Sequence, residues 1–203
     1  MGVSVEPARR YPQRLAAARA GFSGDLATAR RLLTDEDPTT RVRALGALAR
    51  IGALDQPTHR AALADPAPSV RRRAVQLALT LDPVPDLIDQ LGDVDPSVVR
   101  VACETIGETN VGPAAVQELI RIAVNHDDAL CRESAVAALG ASGAPEGIDT
   151  VLNACSDVVA VRRRAVLMLA AWDDPRCDAM LDHLSADRDR QVRQAAIDLL
   201  AID

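Results

Sequence analysis

The sequence predicts an all-α superhelix, a right-handed solenoid of about six stacked helix pairs. Three observations predict it: a motif that recurs roughly every 30 residues, apolar positions at helical spacing within each copy, and an almost complete lack of aromatic side chains. One Trp, one Tyr and one Phe, 1 % of the chain, are too few to fill a sandwich, a barrel or a doubly wound sheet. Ala, Leu and Val are left to make the core, and they pack well between helices.

The copies align on an anchor residue, which is Thr40, Val70, Val98, Cys131, Val161 and Val192 in turn. Four places after each anchor stands an alanine without exception: Ala44, Ala74, Ala102, Ala135, Ala165 and Ala196. The next place is apolar throughout (Leu45, Val75, Cys103, Val136, Val166, Ile197), and so is the eighth (Leu48, Ala78, Ile106, Leu139, Leu169, Leu200). Offsets 0, 4, 5 and 8 fall on one stripe at about 100° per residue, so this segment is the longer, amphipathic helix of each pair.

Its start is marked by Asp three places before the anchor at Asp37, Asp95, Asp128 and Asp189, with Asp65 and Asp157 displaced by one or two. A carboxylate there caps the free N–H groups of the first turn. Pro38, Pro66 and Pro96 follow the Asp, where a fixed φ and a missing N–H do no harm. Gly52, Gly107, Gly140 and Gly143 are expected to stop the helix at its other end.

Shorter apolar-periodic segments at 26–33, 59–63, 86–91, 116–123, 148–155 and 177–184 supply the first helix of each pair. Most of the twelve prolines lie between helices, as a helical reading requires. Pro7 and Pro12 belong to an extension over residues 1–24, in which 15–20 is expected to form a capping helix. Residues 25–203 then form one solenoid domain.

Asp-Pro-Ser-Val at 95–98, Asp-Pro-Thr-Thr-Arg at 37–41 and the run from Cys131 to Gly140 resemble the short HEAT repeats found in bilin-lyase-like proteins. The resemblance covers roughly 25–203. It implies an armadillo-like α-solenoid whose second helices line a concave face, and it is specific for fold rather than activity.

All 23 basic residues are Arg, which excludes Schiff-base chemistry on Lys and favours planar, bidentate contacts to carboxylate or phosphate. Arg41, Arg71, Arg132, Arg162 and Arg193 follow the anchor directly; Arg71, Arg132, Arg162 and Arg193 are expected to bridge neighbouring repeats through the capping Asp residues. The third copy has Val99 in that place. On the face opposite the apolar stripe stand Arg43, Arg72, Arg73, Gln76, Arg100, Glu104, Arg163 and Arg164, the candidate ligand-binding set. Small residues at Gly46 and Ala137 are expected to leave room for a partner's approach.

These features predict a scaffold or adaptor that binds a protein partner through an acidic segment. The alternative is a DNA-binding protein related to the HEAT-like alkyl-base glycosylases, for which Trp172 beside Asp173 and Asp174 is a faint echo. A bilin lyase or chromophore chaperone follows only from the repeat subtype. A formal net charge of -6 argues against a dedicated nucleic-acid binder.

Catalysis has little to rest on, and no enzyme activity, metal or cofactor is expected. The HEAT-like hydroxylases of modified lysine hold iron with His-Glu dipeptides, whereas His59, His126 and His183 precede Arg60, Asp127 and Leu184. The four cysteines show no C-x-x-C spacing and read as buried, reduced thiols. No apolar run approaches the ~18 residues of a membrane span, and no signal peptide opens the chain, so a cytoplasmic location is expected.

Overall fold

A computed structural model describes residues 6–201, with side chains from residue 11 onward. All regular structure among the described residues is helical. The helices are α1 (Glu6–Ser23), α2 (Leu26–Arg31), α3 (Pro38–Ile51), α4 (Gln56–Leu63), α5 (Pro68–Leu77) and α6 (Pro96–Gly107), followed by α7 (Pro113–Asn125), α8 (Ala129–Ser142), α9 (Ile148–Ala154), α10 (Val159–Met168), α11 (Pro175–Leu184) and α12 (Arg190–Leu200). The pairs are α2/α3, α4/α5, α7/α8, α9/α10 and α11/α12, while α6 takes a single 3-10 turn, Ile88–Gly92, as its first member. The segment at 86–91, expected as a helix, is thus only a turn, because Pro83 and Pro85 deny it the length a helix needs to nucleate.

The chain falls into two compact units, one through Asp86 and one from Leu87. In the first, α1, α3 and α5 lie side by side. In the second, α6, α8, α10 and α12 do the same. No helix among the described residues is long and apolar enough to cross a membrane.

Burial follows the sequence periodicity closely. Every anchor and every invariant alanine is at most 1 % exposed. The alanines matter for their size, since a longer side chain there would push successive helices apart. Ile197 departs, at 48 % exposure, because it lies on α12 and no further helix among the described residues packs over it. Asp37, Asp95, Asp128 and Asp189 cap α3, α6, α8 and α12 as expected, and Asp25, Asp55 and Asp174 cap α2, α4 and α11. Gly52 and Gly143 close α3 and α8 in the left-handed conformation. Gly107 is the last residue of α6, as expected, whereas Gly140 lies within α8; both stand at points of close helix approach. Pro12 lies inside α1, so the expected capping helix begins well before residue 15.

Within each unit, arginine clamps staple one repeat to the next. Arg41 donates from Nε and Nη2 to the Asp65 carboxylate at 2.8 and 2.7 Å, and from Nη1 to the carbonyls of Asp35 and Glu36. Arg132 does the same to Asp157, at 2.8 Å for both bonds, and to the carbonyls of His126 and Asp127. Arg162 grips Asp187 at 3.1 and 3.2 Å and the carbonyl of Asp157. The acceptor is not the capping Asp. It is the loop Asp of the following repeat, and for Asp65 and Asp157 displacement from the cap position is what places the carboxylate within the clamp.

The junction between α6 and α8 dispenses with the clamp altogether. Val99 replaces the arginine and is 1 % exposed, and His126 stands where the acceptor Asp would be. His126 Nδ1 still accepts the N–H of Asp128 at 3.0 Å, the turn that Asp35 makes with Asp37 and Asp187 with Asp189. Both partners are changed together. An Asp retained without its arginine would leave a half-buried carboxylate with no cation, which costs more than losing the pair.

His59, 1 % exposed on α4, bonds the carbonyl of Ala74 through Nε2 at 2.8 Å and so ties α4 to α5. Burial lowers its pKa, outweighing the Ala74 bond, which acts in the opposite direction. The folded state therefore keeps the imidazole neutral while the unfolded chain takes up a proton near the ordinary value of 6.5. Stability is full above that pH and falls as pH drops below it toward the folded-state pKa. Urea denaturation at pH 7.5 and pH 5.5 is expected to show a larger loss for the wild type than for His59→Gln, which keeps an N–H donor but does not titrate.

Candidate functional site

The surface residues of the second helices divide sharply by what they touch. In the second unit the candidate arginines are engaged with acids. Arg163 on α10 forms a bidentate pair with Asp189, the cap of α12, at 3.0 and 2.7 Å. That guanidinium holds the Asp189 carboxyl well below the usual range. Arg164 donates from Nε to Glu133 on α8 at 2.8 Å. Arg100 contacts Glu104 one turn on at 3.3 Å, and Glu104 also accepts Ser134 Oγ on α8. The contacts of Arg163 and Arg164 reach neighbouring helices and that of Arg100 stays within α6, so the charge of each arginine is largely answered within the molecule.

The first unit is different. Its α1, α3 and α5 border a cleft of about 440 Å³ lined by Arg43, Arg50 and Arg73, with Gln76 and Phe22 at its sides. Arg43 donates to the main-chain carbonyl of Arg14 at 3.3 Å, and Arg73 donates to Gln76 Oε1 at 3.3 Å. Arg50 lies over the Phe22 ring, 4.1 Å from its centroid. Among the described residues none of these three guanidinium groups has a carboxylate partner. Arg72 on α5 also has none, but it does not line the cleft.

Two local features shape this cleft. Gly21 lets α1 approach α3 so closely that a Cβ there would lie 2.9 Å from Ala47 Cα. Gly46 carries no side chain, and the Arg73 guanidinium occupies the space, 3.2 Å from where its Cβ would be. The room at Gly46 is thus used by this chain's own arginine rather than left open, and Ala137 is half-buried on α8.

The cation of Arg14 is not available to the cleft. It clamps Asp37 with Nε at 2.7 Å and Nη2 at 2.9 Å, and Asp37 also accepts both the N–H and the hydroxyl of Thr40. Those bonds, led by that from Arg14, pull the Asp37 carboxyl far below its ordinary value. These bonds tie α1 to the start of α3.

The structure therefore brings Arg43, Arg73 and Gln76 together, places Arg72 beside them, and assigns Arg100, Glu104, Arg163 and Arg164 to contacts in the other unit. Arg50 and Phe22 escaped the sequence reading because Phe22 lies in the extension, outside the repeat pattern. The one available signal was its chemistry: the sole Phe of the chain, at the end of a helix, is 79 % exposed.

The thiols and the indole outside the cleft are held in structural roles. Cys103, Cys131, Cys155 and Cys177 are buried, and burial pushes the Cys103 and Cys155 thiols up to about 12 and Cys131 to about 11. Thiols so raised supply no thiolate near neutrality. Trp172 donates its indole N–H to the Ala144 carbonyl at 3.2 Å and packs by Gly147, closing the loop of the preceding repeat. No cluster of metal-ligating side chains occurs among the described residues.

A family model described as HEAT repeats matches residues 57–140 and 84–160. No curated protein matches the chain in sequence. Among solved structures, the chain is similar to human deoxyhypusine hydroxylase in complex with glycerol at 19 % identity and a TM-score of 0.48, covering 94 % of this chain and 80 % of that one. It is also similar to a designed armadillo repeat protein at 17 % identity and a TM-score of 0.46, over 94 % and 90 % of the two chains. An engineered protein of the Northeast Structural Genomics Consortium, target OR329, gives 17 % identity, a TM-score of 0.45, and coverage of 94 % and 86 %.

Proposed function

This chain belongs to the HEAT-repeat family, and from that premise we propose that it is a protein-binding scaffold whose first unit captures an acidic segment of its partner. The observation that carries this reading is the cleft itself: three guanidinium groups at one opening, without a carboxylate to answer them. Guanidinium groups aimed into a shared opening give charge-assisted, bidentate bonds to carboxylates. The cleft offers no nucleophile paired with a base, so its chemistry is capture rather than conversion.

A duplex nucleic acid is the competing ligand, and the small number of cations that line the cleft weighs against it. Arg41, Arg132 and Arg162 are spent in clamps, and Arg100, Arg163 and Arg164 face Glu or Asp. Duplex binding of useful strength neutralises roughly 6–10 phosphates. A short acidic peptide needs far fewer, which suits Arg43, Arg50 and Arg73.

The test is fluorescence anisotropy with a fluorescein-labelled octapeptide of Glu and, separately, a labelled 20-base-pair duplex, at 50 and 200 mM salt. The peptide is expected to bind and to weaken with salt, and Arg43→Glu with Arg73→Glu is expected to lower its affinity at least tenfold. Tighter binding of the duplex, lost in the same variant, moves the assignment to nucleic acid. If neither probe binds the wild type, the cleft is not the capture site.

A further inference from the structure

We infer that the acidic segment taken by this cleft carries one large apolar side chain, which packs beside Phe22 while its carboxylates meet Arg43 and Arg73. The inference rests on the reading just given and adds a specificity element to it. An acidic ligand alone accounts for the arginines but not for the rest of the opening. Phe22 lines it with 79 % of its surface in water, and the half-buried Ala18 and Val42 add to an apolar trough in the same lining. A volume of about 440 Å³ lies within the roughly 300–1,000 Å³ typical of pockets that enclose a ligand, more than a carboxylate fills.

Arg50 joins the two halves of the site. Its guanidinium lies over the Phe22 ring, a contact that uses the face of the cation and leaves its in-plane N–H groups free. Phe22 is therefore a positioning residue for Arg50 as well as a wall of the trough. A ligand with an apolar side chain between acids removes the exposed ring and the trough from water, and the desolvated surroundings strengthen the neighbouring ion pairs. Charge complementarity fixes the polar half of the ligand, and the uncovered aromatic fixes the other.

Two fluorescein-labelled octapeptides of equal charge test this: seven Glu residues with Ala at the fourth place, and the same peptide with Trp there. The Trp peptide is expected to bind the wild-type protein at least tenfold more tightly. Phe22→Ala is expected to erase most of that difference, and Phe22→Leu, which keeps an apolar wall without a π face, to restore part of it. Phe22 is exposed, so both variants are expected to keep the wild-type circular dichroism and urea midpoint. Equal affinities, or a gap that survives Phe22→Ala, overturn the inference while leaving the acidic capture intact if the Ala peptide still depends on Arg43 and Arg73. Failure of both peptides to bind overturns both.

Discussion

Arg162→Ala is expected to destabilise the second unit by about 3 kcal/mol, the low end of what breaking a buried ion pair costs. Arg162 and Asp187 have side-chain exposures of 6 % and 12 %, and the arginine also satisfies the carbonyl of Asp157. Removing it strands a carboxylate with little access to water; the N–H of Asp189 is the bond that remains to it in compensation. Arg163→Ala, one residue on, makes the contrast. Its side chain is 45 % exposed, so water and salt replace much of the Asp189 contact and the expected loss is far smaller than that of Arg162→Ala. Urea midpoints at constant m-value measure both. Arg162→Met with Asp187→Asn is expected to lose less than the two single changes added together, because the desolvated charges leave as a pair. An Arg162→Ala midpoint equal to that of Arg163→Ala would show that the clamp is ornamental.

The fold was legible because burial is periodic and each copy repeats the same answer. Ala44, Ala74, Ala102, Ala135, Ala165 and Ala196 can be picked from the sequence alone, and all six are buried. The caps were legible for a local reason, since Asp37 or Asp189 bonds N–H groups two or three residues away. Long-range pairs were not. The sequence points the arginine clamp at the capping Asp, yet its acceptors lie in the loops ahead of the next helix, and only the path of the chain decides between carboxylates two residues apart. The same limit affected the site. Arg163 and Arg164 read as a basic cluster with Arg72 and Arg73, but Asp189 and Glu133 answer them from neighbouring repeats, 26 and 31 residues distant. Arg50 and Phe22 meet across 28 residues and two helices, one of them outside the repeats, so no period points from one to the other.

Gly140→Ala sets two effects of opposite sign against each other, and the packing term is expected to win. Replacing glycine by alanine within a helix ordinarily stabilises by about 1 kcal/mol. Gly140 sits inside α8, where a Cβ would lie 2.6 Å from Met168 Cβ and 2.7 Å from its Cγ on α10. A flexible side-chain end can swing aside, but Met168 Cβ moves only with its helix, so α10 must shift at a cost of about 1–3 kcal/mol for an overpacked core. The net expectation is a loss of about 1–2 kcal/mol. Met168→Ala added to Gly140→Ala removes Cγ and the sulfur but leaves the Cβ contact, so it is expected to recover only part of the loss. Gly107→Ala supplies the graded comparison: its Cβ would stand 3.1 Å from Ala138 Cα, a milder overlap, and its destabilisation is expected to be smaller than that of Gly140→Ala. Thermal midpoints that rank the two variants in the reverse order would mean that helix propensity, rather than the spacing between successive second helices, governs these positions.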